Sequence, residues 1–202
     1  MTTDPPPPPS ARADARRNRD AVIAAAMRVL SADPEASMRE VADASGLTRT
    51  TVYRHFPSRE ELLRAIFELV AREADAAARE ATAGDPGLEQ VMRAVARNAV
   101  ALGQRFRFLA GYDQTVLGEA ALTAGDDPLL RWIEVAQARG ETRAELPPAW
   151  QLRALRSLAT GAIEAVLAEQ LDAAEAQQLL AATLIAAFAA PSAGDRDDPA
   201  VR

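Results

Sequence analysis

Apolar residues recur along this chain at helical spacing, and nowhere do they alternate with the period of two that a half-buried strand requires. Val22, Ile23, Ala26, Met27 and Leu30 mark one face of a helix over residues 14–31, and Met38, Val41 and Ala42 one face of a short helix over 38–44. Val52 points inward from a third helix over 48–54. Leu62, Leu63, Ile66, Phe67 and Val70 run along a long fourth helix, which Ser58 and Glu61 open as a capping box and Gly84-Asp85-Pro86 closes after residue 82. Asp85 as cap and Pro86 in the first turn predict a fifth helix carrying Leu88, Val91, Met92, Val95, Ala99 and Leu102. Residues 104–124 are aromatic-rich and broken by Gly111 and Gly118, which predicts one or two short, irregular helices. Asp127-Pro128, Pro147-Pro148 and the Asp172/Glu175 capping box open three more, the first ending at Gly140. The pattern is all-α, with about nine helices.

The two ends lack periodicity. Residues 1–13 contain five consecutive prolines and read as a disordered or polyproline tail, and residues 191–202 read as unstructured too. Between them the expected division is a head over 14–60 and a larger helical domain over 61–190.

Within the head, residues 37–56, SMREVADASGLTRTTVYRHF, read as two short helices joined by a turn at Gly46, with Leu47 plugging the space between them. The small Ala42 lets the helices cross closely, and Thr48 suits the cap of the second. Arg49, Thr50, Thr51, Tyr53, Arg54 and His55 are left for its outer face, all donors or hydroxyls with no acid among them. A helix-turn-helix with such a face is a DNA-reading element.

The net charge of −6 argues against that partner only until it is divided. Residues 10–59 carry nine Arg against six acids, whereas residues 60–202 carry fourteen against twenty-two. The positive charge is gathered on the segment that holds the motif, as expected of a DNA head on an acidic body. Every one of the twenty-three basic residues is Arg, a bias that fits a GC-rich genome better than a functional choice. There is no Cys and a single His, so thiol chemistry and a histidine or cysteine metal site are not expected, nor is a cofactor. No secretory h-region and no membrane-length apolar run is present, so the expected location is the cytoplasm.

The run Gly46-Leu47-Thr48, Thr51-Val52-Tyr53, His55-Phe56, followed by Pro57-Ser58-Arg59-Glu60-Glu61-Leu62-Leu63, resembles the tetracycline-repressor (TetR) family of bacterial regulators. The likeness spans residues 16–67; beyond them only length and helical layout match. It implies a three-helix DNA head, a C-terminal ligand-binding and dimerisation domain, and release from a palindromic operator by a small-molecule effector. Arg49 and Thr50, at the exposed start of the reading helix, are the candidates for base edges, because Arg can take guanine O6 and N7 together and the Thr methyl suits thymine. Arg39 lies where family members also reach bases, though a solvated surface charge is an equal reading. Thr48, Thr51, Tyr53 and His55 are candidate phosphate contacts, with helix capping a second role for Thr48. Arg59 resembles the family's basic phosphate contact at the start of the fourth helix. Arg12, Arg16, Arg17 and Arg19 form either an arm touching the DNA backbone or a solvated charge run.

The second half holds no catalytic constellation, so an enzyme is not expected. Five of the nine aromatic residues fall between residues 106 and 150. Phe67, Met92, Asn98, Phe106, Phe108, Tyr112, Asp113 and Trp132 are the candidate pocket lining, against the plainer reading that the aromatics are ordinary core. From residue 157 to 194 only Glu164, Glu169, Asp172 and Glu175 are charged, too few for helices with a wetted outer face. Leu155, Leu158, Ala162, Ile163, Val166, Leu180, Leu184 and Phe188 are therefore candidates for a homodimer interface, with an Ala-rich core as the plainer alternative. Competing expectations are a regulator that activates or needs no ligand, and an enzyme or carrier that keeps the head as a relic.

Overall fold

The computed structural model describes residues 9–109 and 127–191, and among these it contains eight α-helices and one 3-10 turn. They are α1 Pro9–Ala32, α2 Met38–Ser45, α3 Arg49–His55, α4 Arg59–Thr82, α5 Leu88–Arg105, the turn Arg107–Leu109, α6 Pro128–Ala138, α7 Pro148–Leu167 and α8 Ala173–Phe188. Two compact units result, and the division falls between Val70 and Ala71, inside α4 and not at its start.

The first unit contains α1, α2, α3, the N-terminal half of α4 and the 3-10 turn. Val22, Ile23, Ala26 and Leu30 of α1, Val41 and Ala42 of α2, Val52 of α3, Phe56, and Leu62 and Ile66 of α4 are all buried. Gly46 ends α2 with φ of 71°, a left-handed conformation that a side chain would disfavour. Arg28 of α1 donates to the carbonyl of Ala44 at 3.2 Å, which satisfies an orphan acceptor at the end of α2 and ties the two helices together.

The second unit packs α5 against α7 and α8, with α6 against α7. Its core gathers Val91, Met92, Val95, Trp132, Ile133, Leu155, Leu180, Leu184 and Phe188. Helices α5 and α7 touch closely at Gly103, where an added Cβ would lie 2.5 Å from Ile163 Cγ2. The Asp172/Glu175 capping box forms in both directions at the start of α8.

Three boundaries depart from the sequence expectation. Helix α1 begins at Pro9, inside the stretch read as a tail, because a first-turn proline loses no hydrogen bond and Ser-Ala-Arg-Ala follows it. Helix α5 begins at Leu88 and is not capped by Asp85, which sits at φ 61° and gives its carboxylate to Arg139. At the start of α4, Glu61 N donates to Ser58 Oγ at 3.2 Å, but the Glu61 carboxylate takes Arg64 and not the cap backbone. Of the short helices expected over 104–124, residues 110–126 lie outside the described residues.

Candidate nucleic-acid interface

Helix α2 is fixed at its start by Ser37, whose side chain accepts from Glu40 N at 3.3 Å while Glu40 accepts from Ser37 N at 2.7 Å. These bonds hold the Glu40 carboxyl below its usual range, the Ser37 hydroxyl contributing most. The Ser-x-x-Glu spacing made this capping box legible in the sequence, where it was missed. In the turn, Ser45 Oγ donates to Ala42 O at 2.8 Å and accepts from Leu47 N at 3.2 Å. Thr48 then caps α3, accepting from Thr51 N at 3.3 Å and lying 2.9 Å from Thr51 Oγ1. Both threonine hydroxyls are thus used inside the protein, and Thr51 is only partly exposed.

With Val52 wholly buried, α3 turns a defined outer side to solvent. Arg49, Thr50, Tyr53 and Arg54 are exposed there, as is Thr48 at the cap, and Tyr53 retains 45 % of its accessible surface. Exposure of a large aromatic side chain beside two guanidinium groups has no folding rationale, because none of these side chains helps close the core.

Arg39 is exposed on α2, and Asp43 stands between the two candidate base readers. Its carboxylate lies 3.9 Å from Arg39 Nε and 3.7 Å from Arg49 Nη2. All three side chains are more than half exposed, so these pairs add little stability but bias the arginine orientations. Asp43 escaped the sequence reading, which considered only the outer face of the second helix; its place four residues after Arg39 was the available signal.

Two candidates are engaged elsewhere. The Arg59 guanidinium donates to the carbonyls of Pro34 and Ala36 in the loop before α2, so it braces the head from the start of α4. His55 is half-buried, its Nε2 shut away from solvent without a hydrogen-bond partner. Burial above all, then the charges of Arg54 and Arg19, push its pKa down, so the neutral form is favoured. Phosphate contact through Nε2 is therefore not open to it.

The candidate pocket residues fare differently. Met92 and Trp132 are core of the second unit, and the Trp132 indole N–H donates to Pro86 O at 2.9 Å. Phe67, Phe106 and Phe108 are buried in the first unit, the last two rings 6.4 Å apart. Asn98 is partly exposed on α5, and Tyr112 and Asp113 lie outside the described residues. The described geometry is that of packed core, and an open depression instead lies on the surface at the start of α5, lined by Leu88, Arg93, Arg97 and Glu141.

Four of the candidate interface residues need correction. Leu155, Leu180, Leu184 and Phe188 are buried inside a single chain, because α7 and α8 turn them toward α5, and they have no surface to offer a partner. Ile163 is half-buried against Gly103. Leu158 keeps 36 % of its surface and Leu179, which was not singled out, 55 %; Ala162 and Val166 are partly exposed. Among the described residues no group of side chains could hold a metal ion, and no helix is long and apolar enough to cross a membrane.

Residues 22–66 match the family described as bacterial regulatory proteins, tetR family. The chain is 33 % identical over 153 residues to the HTH-type transcriptional repressor LfrR of Mycolicibacterium smegmatis, covering 74 % of this chain and 79 % of that one. It superposes on the crystal structure of LfrR from Mycobacterium smegmatis in complex with proflavine with a TM-score of 0.64 at 28 % identity, covering 84 % of this chain and 94 % of that one. The fatty acid degradation regulator FadR from Bacillus halodurans shares the fold alone, with a TM-score of 0.71 at 14 % identity, covering 83 % of this chain and 94 % of that one.

Proposed function

Because this chain belongs to the tetR family of bacterial regulatory proteins, DNA-binding regulators of transcription and not enzymes, we propose that it is a repressor released from a palindromic operator by a small-molecule effector. The observation that carries the reading is the outer side of α3, where Arg49, Thr50, Tyr53 and Arg54 stand clear of a core that Val52 and Phe56 complete. Arg49 and Thr50 read base edges; Tyr53 and the backbone around Thr48 fix register on phosphates. Arg39 adds a base or phosphate contact from α2, and Arg59 supports the head through the loop it braces. The protein works in the cytoplasm.

One seven-residue recognition helix reads too few base pairs for an operator, so the working form is a homodimer whose heads enter successive major grooves about 34 Å apart. Leu158, Ala162, Val166 and Leu179 are the surface residues of α7 and α8 that support this pairing. Replacing Leu158 and Leu179 together by Arg is expected to give monomers by sedimentation, and a dimer that survives the change removes this surface from the proposal.

The effector acts by binding the non-binding arrangement of the heads more tightly than the DNA-bound one, so coupling is reciprocal. LfrR has been crystallised with proflavine, which makes planar aromatic cations the first compounds to test on this chain. The second reading, a regulator that needs no ligand, draws support from the burial of Phe67, Met92, Phe106, Phe108 and Trp132 as packed core. A single experiment separates the two. An operator is selected from a random duplex pool, and its affinity is then measured by anisotropy with and without each compound. Release by a compound whose own affinity falls equally when operator is added supports induction; operator affinity indifferent to every compound favours the second reading. Failure to select any duplex would overturn both.

A further inference from the structure

The inner stripe of α1 does not end where the core ends. Ile23, Ala26 and Leu30 are buried along it at alternating spacings of four and three, and the same rhythm continues toward the N-terminus as Arg19, Arg16 and Arg12. Residues 13–21 place no side chain in the core, although the helix runs unbroken through them. A polar helical extension of this kind gains nothing from core packing, and guanidinium groups on the inward-facing stripe of a helix call for something acidic or aromatic to cover them.

Only the root of the stripe is covered. The Arg19 guanidinium lies over the Phe56 ring, 5.3 Å from its centroid, and 3.9 Å from the Glu68 carboxylate. Phe56 directly follows the last residue of α3, and Arg19 and Arg54 both act on His55, so the stripe starts beside the C-terminal end of the recognition helix. Arg16, roughly 4.5 Å farther along the axis at about 1.5 Å per residue, is exposed and has no partner among the described residues. Arg17, on the other side of the helix, is paired with Asp14.

We infer that the first three turns of α1 form a basic arm that follows the DNA backbone outward from the groove α3 enters, with Arg16 and Arg12 each neutralising a phosphate. The inference rests on the DNA-binding reading and deepens it: this contact adds affinity and no sequence information. A polyanion passing the end of α3 supplies, in a continuous line, the charge that Arg16 lacks.

The full-length chain is titrated with its selected operator across a salt series, beside an Arg12→Ala/Arg16→Ala double variant and an Arg17→Ala variant; alanine preserves the helix. The double variant is expected to flatten the log affinity against log salt slope by about 2, at roughly 0.9 per phosphate contact, with the ranking of mutated operators unchanged. Arg17→Ala is expected to leave the slope as it is. An unchanged slope in the double variant, or an equal flattening in Arg17→Ala, overturns the arm while leaving operator binding intact. A wild-type chain that ignores duplex DNA overturns the arm together with the reading beneath it.

Discussion

In the first unit, the side chains that speak of function are those that do not pack: Arg49, Thr50, Tyr53 and Arg54 stand in solvent around a core closed by Val22, Val52 and Phe56. In the second unit, residues that looked functional turn out to be packed, Trp132 and Met92 among them, along with half of the candidate interface residues. The contrast teaches that polar exposure on a fixed scaffold is a stronger functional signal than aromatic content in a helical domain. An exposed Tyr beside two Arg does nothing for folding. A Trp whose indole reaches Pro86 O does.

The sharpest way to break this contrast is to destroy the scaffold of the head. Phe56 is 2 % exposed and carries Arg19 on its ring, so Phe56→Ala is expected to cost about 3–5 kcal/mol and abolish operator binding. Differential scanning calorimetry should show the loss; an unchanged thermogram would mean that the head does not depend on its core. In the second unit, Gly103→Ala is expected to cost about 1–3 kcal/mol, because the new Cβ would lie 3.1 Å from Ile163 Cβ, an atom that cannot swing away. The roughly 1 kcal/mol of helix propensity gained by alanine offsets part of this. Adding Ile163→Ala should relieve the clash, so that the pair departs from additivity in chemical denaturation.

Function and scaffold are separated by the next pair of variants. Arg49→Ala should cost about 1–3 kcal/mol of operator affinity and relax preference at one base pair, with unfolding unaltered. Arg59→Ala should instead weaken all sequences alike and lower the stability of the head by about 1 kcal/mol, since the carbonyls of Pro34 and Ala36 lose their donor. Equal loss on every operator for Arg49→Ala would remove it as a base reader.

The smallest effect is titration of His55. Its pKa is depressed in the folded chain, so as pH falls through the free histidine value near 6.5 the unfolded chain takes up a proton first. Head stability is therefore complete above that pH and declines as the pH falls from there through the folded pKa. His55→Gln should flatten this part of the stability profile, and a wild-type profile that rises on acidification would contradict the assignment.

The helical register of α2, α3 and α4 was legible because each carries a periodic apolar stripe and local punctuation: Gly46, Thr48 and Ser58 act within a few residues of themselves. The same local logic failed at Asp85, where a distant Arg139 competes for the carboxylate that a cap would need. It failed again for Arg59, which the motif casts as a phosphate ligand and the fold turns onto two loop carbonyls.

What the chain determined alone was the all-α architecture, the motif of the head and the sign of its charge, because periodicity, turn chemistry and charge segregation act over short stretches. Which apolar residues of α7 and α8 face inward was decided only when α5 packed against both. The two helices are apolar nearly all round, and amphipathicity can name a buried side only when the other side is polar. Tertiary packing likewise decided that Asp43 would stand between Arg39 and Arg49, a meeting of two helices that no spacing along one of them encodes.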